Sequence, residues 1–495
     1  MARPWNMALG EVIDPSRSMP LYLQIVHGLI HEIERGRLAS GAFLPSSRVL
    51  ATMLGVNRKT VVLAYEDLIA QGWLTSPGTR GTMVSEVLPK SAPARAAKPA
   101  IEAPPIDART PTYAFHAPPS RPLALPSDTR MRLDEGSPDG RLFPEEVLGR
   151  AYRSAIQRAA RHNRMLYGDP RGSLALRETI AAMLRTERGL SVEAENVCIT
   201  RGSQNAIFLA ARTLISPGDT VLVESLTYEP AVAAFRACGA RVEAVRLDDQ
   251  GVDVEDVERR CRRSTVRAIF LTPHHQFPTT VALRPDRRLR LLLLARQFNF
   301  AIIEDDYDHE FHFESQPLLP IASYAPASVI YAGSLSKLLL PALRIGYIAA
   351  PKAFIDAVAH TVSLTDGMGN AITEDAVAEL IESGELRRHA RKATQVYAVR
   401  RLAFAQAVSD AFGDRVRFRT PDGGLAFWLT FPDVEVLDRI EARAPDLGVR
   451  LASSRSFATS EDAERGLRIG FASLREDEAR KALTTLAKAA DLQAE

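Results

Sequence analysis

At 495 residues the chain exceeds one domain, and two or three are expected. Its 46% apolar and 25% charged residues fit a globular protein with a large core, and a formal charge of +2 excludes a strong global field for nucleic acid or membrane. Cys198, Cys238 and Cys261 lack metal-ligand spacing, so no metal site is expected, and no run of eighteen apolar residues is present to span a bilayer. The N-terminal "MARPWNMALGEVIDPS" lacks the apolar run of a signal peptide, and the expectation is a soluble cytoplasmic protein.

The first elements are helical. "MPLYLQIVHGLIHEIERGRL" sets Leu21, Ile25, Leu29, Ile30 and Ile33 on one helical face. "LPSSRVLATMLG" predicts a second helix capped by Ser46 or Ser47 and ended by Gly55. "VNRKTVVLAYEDLIAQGWL" predicts a third, capped by Asn57. Two helices joined by a tight Gly55–Val56 turn form a helix-turn-helix, whose second helix enters the major groove N-terminus first. That N-terminus carries Arg58 and Lys59, suited to guanine edges or phosphate, and Thr60, suited to either. "WLTSPGTRGTMVSE" then gives two short strands around a glycine-rich turn, a wing. The competing reading is a small helical domain with solvated arginines. Against it, Arg35 to Tyr65 holds Arg35, Arg37, Arg48, Arg58 and Lys59 and no acid.

This stretch resembles the winged helix of the GntR regulator family nearly throughout. The resemblance implies DNA contacts at Arg48, Arg58, Lys59, Thr60 and Gly81 of the wing.

Residues 89–126 contain ten prolines and little apolar periodicity, the mark of a linker that is stiff where polyproline-like. The expected organisation is a winged helix-turn-helix domain over 1–88, a linker over 89–128 and a second globular domain over 129–495.

That second domain repeats short β-rich runs between helical segments: "NVCIT", "TVLVES", "RVEAVRL", "RAIFLT", "AIIED", "VIYAGS" and "RIGYIAA". Several are apolar throughout, as strands buried on both faces of a mostly parallel sheet should be. The expected class is therefore a large α/β domain. Its chemistry-bearing residues recur at strand ends. "TRGSQNAIFLA" carries Gly202, Ser203 and Gln204 from a strand into a helix N-terminus, a phosphate cradle. "AIIEDDYDHEF" ends an apolar strand with acids and Tyr307, and "GSLSK" supplies Ser334, Ser336 and Lys337. A lysine able to form a Schiff base, phosphate donors and a carboxylate for a protonated pyridine nitrogen are what an aldehyde cofactor requires. Singly each stretch has an ordinary reading, as a capped helix, solvated acids or a chance serine. Their order along successive βα units makes the signal.

From about residue 130 to 485 the chain resembles the fold-type I aminotransferases, which use pyridoxal 5′-phosphate (PLP). With the winged helix it is similar to the MocR subfamily of GntR regulators, through "LFP", "YGDPRG", "LTPHHQFPT", "IIEDDYDHEF", "GSLSKLLLPALRIGY" and "GLRIGF". The resemblance implies that Lys337 is the Schiff-base lysine, that Asp305 pairs with the pyridine nitrogen, and that Tyr307 bonds the phenolic oxygen. It places Gly202, Ser203, Gln204, Ser334, Ser336 and Arg344 around the phosphate or the nearby effector space, and Tyr228 against the ring. Tyr167 would reach the phosphate of a partner subunit, which implies a homodimer, and Arg468 would grip a carboxylate. Asp306 competes with Asp305, which is preferred for lying two residues before the tyrosine, as in the family.

One segment departs from the family. Where aminotransferases carry Asn-Pro-Thr-Gly, this chain reads "QFPTT", with Phe277 for the asparagine and Thr280 for the glycine. Phe277 belongs to the MocR-like pattern and Thr280 departs from that too. His274 and His275 offer an alternative donor or simply satisfy a strand end. The loss puts efficient transamination in doubt more than cofactor binding. The resemblance thus implies a PLP-dependent transcriptional regulator that binds double-stranded operator DNA and senses PLP or an amino compound. Two readings compete: a working aminotransferase with an appended DNA-binding module, and a DNA-binding protein whose α/β domain only dimerises.

Overall fold

The computed structural model describes residues 13–17, 19–78, 81–89, 131–133, 136–314 and 318–491. The chain divides into two compact units, Met1–Leu123 and Ala124–Glu495. Nearly all of the proline-rich segment expected as a linker lies outside the described residues.

In the first unit, α1 (Leu21–Glu34), α2 (Ser47–Leu54) and α3 (Arg58–Ala70) precede a two-stranded antiparallel ribbon, β1 (Leu74–Thr75) and β2 (Met83–Val84). Ile25, Leu29 and Ile33 of α1 are buried with Leu50, Val61, Ala64 and Leu68, and Leu74 and Val84 close the core from the ribbon. Of the two candidate caps for α2, Ser46 does the work: its side chain accepts from Val49 N. Gly55 ends the helix at φ +64°, the left-handed conformation glycine adopts without strain. Asn57 caps α3 by accepting from Lys59 N. A local signal that the apolar pattern does not show is Gln24, whose buried amide donates to the carbonyls of Asp14 and Met19 and ties the entering chain to α1.

The second unit is built on a seven-stranded sheet. Its strands are β3 (Val197–Thr200), β4 (Thr220–Glu224), β5 (Arg241–Val245), β6 (Val266–Leu271), β7 (Ala301–Asp306), β8 (Val329–Ser334) and β9 (Gly346–Ala349). In space the order is β3-β9-β8-β7-β6-β4-β5. All neighbours are parallel except β9, which is antiparallel to both β3 and β8. The near-continuous apolar runs follow from burial on both faces. Along β4 and β6, Leu222, Ile269 and Leu271 join one core, while Val221, Val223, Ala268 and Phe270 join the other. Helices Leu174–Arg188, Pro285–Phe298 and Glu385–Phe412 cover the first face, and α4 (Ser203–Leu214), Glu229–Ala237 and Lys352–Thr365 the second. A three-stranded antiparallel sheet toward the C-terminus carries Arg468 on strand Gly466–Gly470, opposite Trp428.

Among the described residues no helix is long and apolar enough to cross a membrane.

Candidate functional site

The register of the large sheet decides which residues meet. Thr200 of β3 pairs with Gly346 of β9, and Gly346 with Ser334 of β8. Asp305 and Asp306 of β7 pair with Ala332 and Gly333 of β8. The carboxyl ends of β3, β7 and β8 therefore share one edge, where open α/β sheets bind ligands. Antiparallel β9 begins at that edge with Gly346 and runs away from it, so Arg344, two residues before the strand, lies there too.

At the β3 end, Gly202 at φ +80° opens α4, and Ser203 and Gln204 form its first turn. A Cβ on Gly202 would stand 3.1 Å from the Arg344 guanidinium, and one on Gly346 2.7 Å from the Gly202 carbonyl carbon. Glycine at both positions lets two backbones and an arginine close together. Arg344 Nη2 donates to the Arg201 carbonyl at 2.8 Å. Gln204 donates to the Pro230 carbonyl at 2.9 Å, while its Oε1 is buried without a partner. Beyond β8, Ser334 Oγ accepts from Ser336 N at 3.2 Å, and Ser336 Oγ is buried without a partner. Lys337 is half-buried in the turn that follows, and its Nζ donates to the Gly136 carbonyl at 2.5 Å. The lysine thus sits just past the strand rather than inside it.

The two adjacent aspartates of β7 are chemically different. Successive strand residues point to opposite faces. Asp306 accepts from Tyr331 Oη at 2.6 Å, meets His309 Nδ1 at 2.9 Å and lies 3.9 Å from Arg188 Nε. Burial pushes its carboxyl up, but His309, His274 and Arg188 together hold it well below the usual carboxylate range. Asp305 has no such set: its Oδ1 is buried without a hydrogen-bond partner among the described residues. Burial first, then the neighbouring Asp306 and Asp308, push its carboxyl up to about 8.

Tyr307 donates from Oη to the His275 carbonyl at 2.8 Å and accepts from Arg468 Nη2 at 3.2 Å. Arg468 is buried, donates to the Pro278 carbonyl at 2.7 Å, and has its guanidinium 4.5 Å from the Phe277 ring centroid. Phe277 also meets Tyr228 edge-on, with ring centroids 5.2 Å apart. The residue replacing asparagine therefore supplies an apolar platform under the arginine. Thr280 takes φ +64°, the conformation glycine would hold in the related pattern.

Several participants escaped the sequence reading. Gly136 lies far from "GSLSK" in the chain, and Gln276 donates to Glu224 Oε2 at 3.1 Å, where burial raises Glu224 to about 8. His274 and His275 do not turn their rings to Tyr307: His275 Nδ1 meets Asp308 Oδ1 at 2.7 Å, and His274 lies with Asp306 and His309. Burial holds the His274 imidazole well below its ordinary value against the pull of Asp306. A signal was available, since four of the ten histidines fall between residues 274 and 312. Tyr167 is 95% exposed and is not brought into this group within its own chain.

In the first unit, Arg48, Arg58 and Lys59 are exposed, Thr60 is half-buried, and Arg58 Nε reaches Ser47 Oγ at 3.5 Å. The N-terminus of α3 thus presents cations outward, and Gly81 lies exposed beside β2 at φ +102°.

A winged helix carrying an exposed basic helix start, joined to an α/β unit with a lysine, an acid and a tyrosine at one sheet edge, defines the class: a DNA-reading module on an aminotransferase fold. Residues 129–486 match the family "Aminotransferase class I and II", and residues 21–84 match "Bacterial regulatory proteins, gntR family". The "Probable rhizopine catabolism regulatory protein MocR" of Rhizobium meliloti is 30% identical over 97% of this chain and 95% of its own. The pyridoxine biosynthesis transcriptional regulator PdxR of Corynebacterium glutamicum is 28% identical over 97% and 98%. Among solved structures, Pyrococcus horikoshii kynurenine aminotransferase has a TM-score of 0.69 at 28% identity, covering 74% of this chain and 93% of its own. The chain belongs to the MocR-type GntR transcriptional regulators, whose second domain is a class I and II aminotransferase fold.

Proposed function

We propose that PLP binds at the carboxyl edge of the large sheet, held covalently by Lys337, and that its binding, alone or with an amino compound, changes affinity for an operator. The observation that carries this is Asp305, a buried carboxylate oxygen with no partner on the edge that also holds Lys337. A protonated ring nitrogen opposite would satisfy it, and would favour the charged carboxylate that burial now disfavours. The buried, unpartnered Ser336 Oγ and Gln204 Oε1 fit the same reading, as hydrogen-bonding groups beside a phosphate.

When bound, PLP supplies an electrophilic aldehyde carbon and an electron-withdrawing pyridinium ring. Lys337 offers the amine, and Tyr307 offers a hydroxyl oriented by the His275 carbonyl and Arg468. Gly202, Ser203, Gln204, Ser334, Ser336 and Arg344 would surround the phosphate through the α4 N-terminus, hydroxyls and a guanidinium. Tyr228 would lie against the ring. Arg468, on its Phe277 platform, would receive the carboxylate of an amino-acid effector. The DNA-facing residues would be Arg48, Arg58, Lys59, Thr60 and Gly81 in a domain spanning 1–88, with a linker over 89–128 and the effector domain over 129–495.

Tyr167 would complete the phosphate site of a second copy, making the chain a homodimer. Met165 and Leu166 are likewise exposed beside it, which supports a covered surface there. Two winged helices would then match two half-sites.

The test is absorption spectroscopy with borohydride reduction. Parent protein should show a visible cofactor band and carry a reduced pyridoxyl group on Lys337, and Lys337→Ala should show neither. A retained band and adduct in that variant would refute the assignment. The second reading, a working aminotransferase, is not favoured, since Phe277 stands where the asparagine would be and the relatives matched over nearly the whole chain are regulators. Multiple turnovers on an amino acid would support it.

A further inference from the structure

The face of the large sheet opposite Asp305 holds a group that the functional reading does not use. His274, Asp306 and His309 are all buried, and one ligand atom from each lies within 4.8 Å of the others. We propose that these three residues bind a divalent transition-metal ion of the zinc class.

Two of the three residues hold buried ligand atoms that no hydrogen bond uses. Among the described residues, both ring nitrogens of His274 are buried without a hydrogen-bond partner, and so is Oδ1 of Asp306. The other oxygen of Asp306 is held by Tyr331 and His309, so the carboxylate is fixed with one oxygen to spare. His312 lies beside the group, its ring 5.5 Å from that of His274 and 6.0 Å from that of His309, and its Nε2 is also unpartnered. Buried polar atoms are rarely left unmade, because each forfeits its hydration without return. Several such atoms in one spot call for a shared partner, and a cation bonded to lone pairs is one.

Ligand chemistry sets the class. Imidazoles with one carboxylate suit zinc, cobalt, nickel or iron, whereas calcium and magnesium require sets of oxygens. The charge around the group also admits a dication. Asp306 and Asp308 contribute negative charge, Arg188 is engaged by Glu310, and the Arg288 donors are spent on the carbonyls of Leu283, Leu319 and Pro273. A cavity of about 390 Å³, lined in part by His274, His275, His312 and Asp422, gives the ion a way in. The ligands come from the end of β7, the loop after β6 and the turn after β7. Binding would clip these three segments together, directly beneath the strand that carries Asp305, and metal-binding energy at such a clip is folding energy.

The experiment uses the untagged full chain, stripped with chelator and dialysed against cobalt(II), then against zinc(II). One metal per chain is expected, with cobalt d–d bands in the visible and a raised thermal midpoint. His274→Ala and the milder His309→Gln should each weaken binding by at least about tenfold, since even changes behind a metal ligand cost 10–100-fold. His360→Ala, on the surface, should bind as the parent does. A parent chain that takes up less than a stoichiometric amount of either ion under excess overturns the proposal and leaves the pocket to water. Uptake unchanged in both His274→Ala and His309→Gln overturns it equally. Should His274→Ala fail to fold, His309→Gln and the parent titration still decide.

Discussion

The winged helix and the carboxyl edge of the large sheet solve opposite problems. In the first, polar groups at helix ends have local partners: Ser46 and Asn57 cap their own helices, and the cations of α3 stand in water. In the second, polar groups are buried and several have no hydrogen-bond partner among the described residues, among them Asp305 Oδ1 and Ser336 Oγ. The contrast teaches where each function draws its specificity. DNA reading needs exposed donors on a rigid helix, so stability and function scarcely compete there. A cofactor site needs desolvated groups held apart from one another, so its residues destabilise the empty fold and are repaid on binding.

The largest expected effect lies at Lys337. Lys337→Ala should abolish covalent cofactor retention while leaving the thermal transition of cofactor-free protein in place, as checked by mass spectrometry and calorimetry. Next is the contrast between neighbours on β7. Asp306→Ala takes the buried partner from His309 and Tyr331 and the carboxylate from beside Arg188 Nε, and should cost about 3–5 kcal/mol in denaturant unfolding. Asp305→Asn, which removes a buried carboxylate without a partner at Oδ1, should cost cofactor-free protein far less. Equal losses would erase the distinction drawn between them.

In the winged helix, Arg58→Ala should weaken specific operator binding by about 1–3 kcal/mol at fixed salt, with cofactor content unchanged. Glu224 gives a pH test. Its folded value, near 8, lies above its ordinary 4.5, so the folded state binds a proton that the unfolded chain lacks. That contribution is complete below 4.5 and is lost as pH rises through 8. Glu224→Gln should therefore flatten the decline in stability across that window, measured by urea unfolding at several pH values. The smallest effect is at Thr280. A β-branched residue at φ +64° is strained by about 1–2 kcal/mol, so Thr280→Gly should stabilise by about 1 kcal/mol after the entropy cost of glycine.

The two regions also differ in how far they could be read from the chain. The three helices, the Asn57 cap and the Gly55 turn are written in consecutive residues, because helix caps and apolar periodicity act over one or two turns. The seven strands were likewise legible, since burial on both faces leaves apolar runs such as "RAIFLT". The reversed direction of β9 was not, because "RIGYIAA" reads alike whichever way its neighbours run. Around the site, Lys337 stood out from its apolar setting, and Asp305 was preferred over Asp306 because its place two residues before Tyr307 matches the family that the chain resembles. What separates the two aspartates physically is Arg188, Tyr331 and His309, which converge only through the sheet. The platform of Phe277 under Arg468 likewise joins residues nearly two hundred positions apart, and no local pattern announces it.

In the function proposed above, occupancy of the Lys337 edge controls DNA binding. It is tested most directly by titrating the parent and Lys337→Ala against operator DNA at one salt concentration, each with and without PLP and candidate amino acids. Parent affinity should change with ligand and that of Lys337→Ala should not, while both bind DNA. Parent affinity that stays the same with and without every ligand would contradict it.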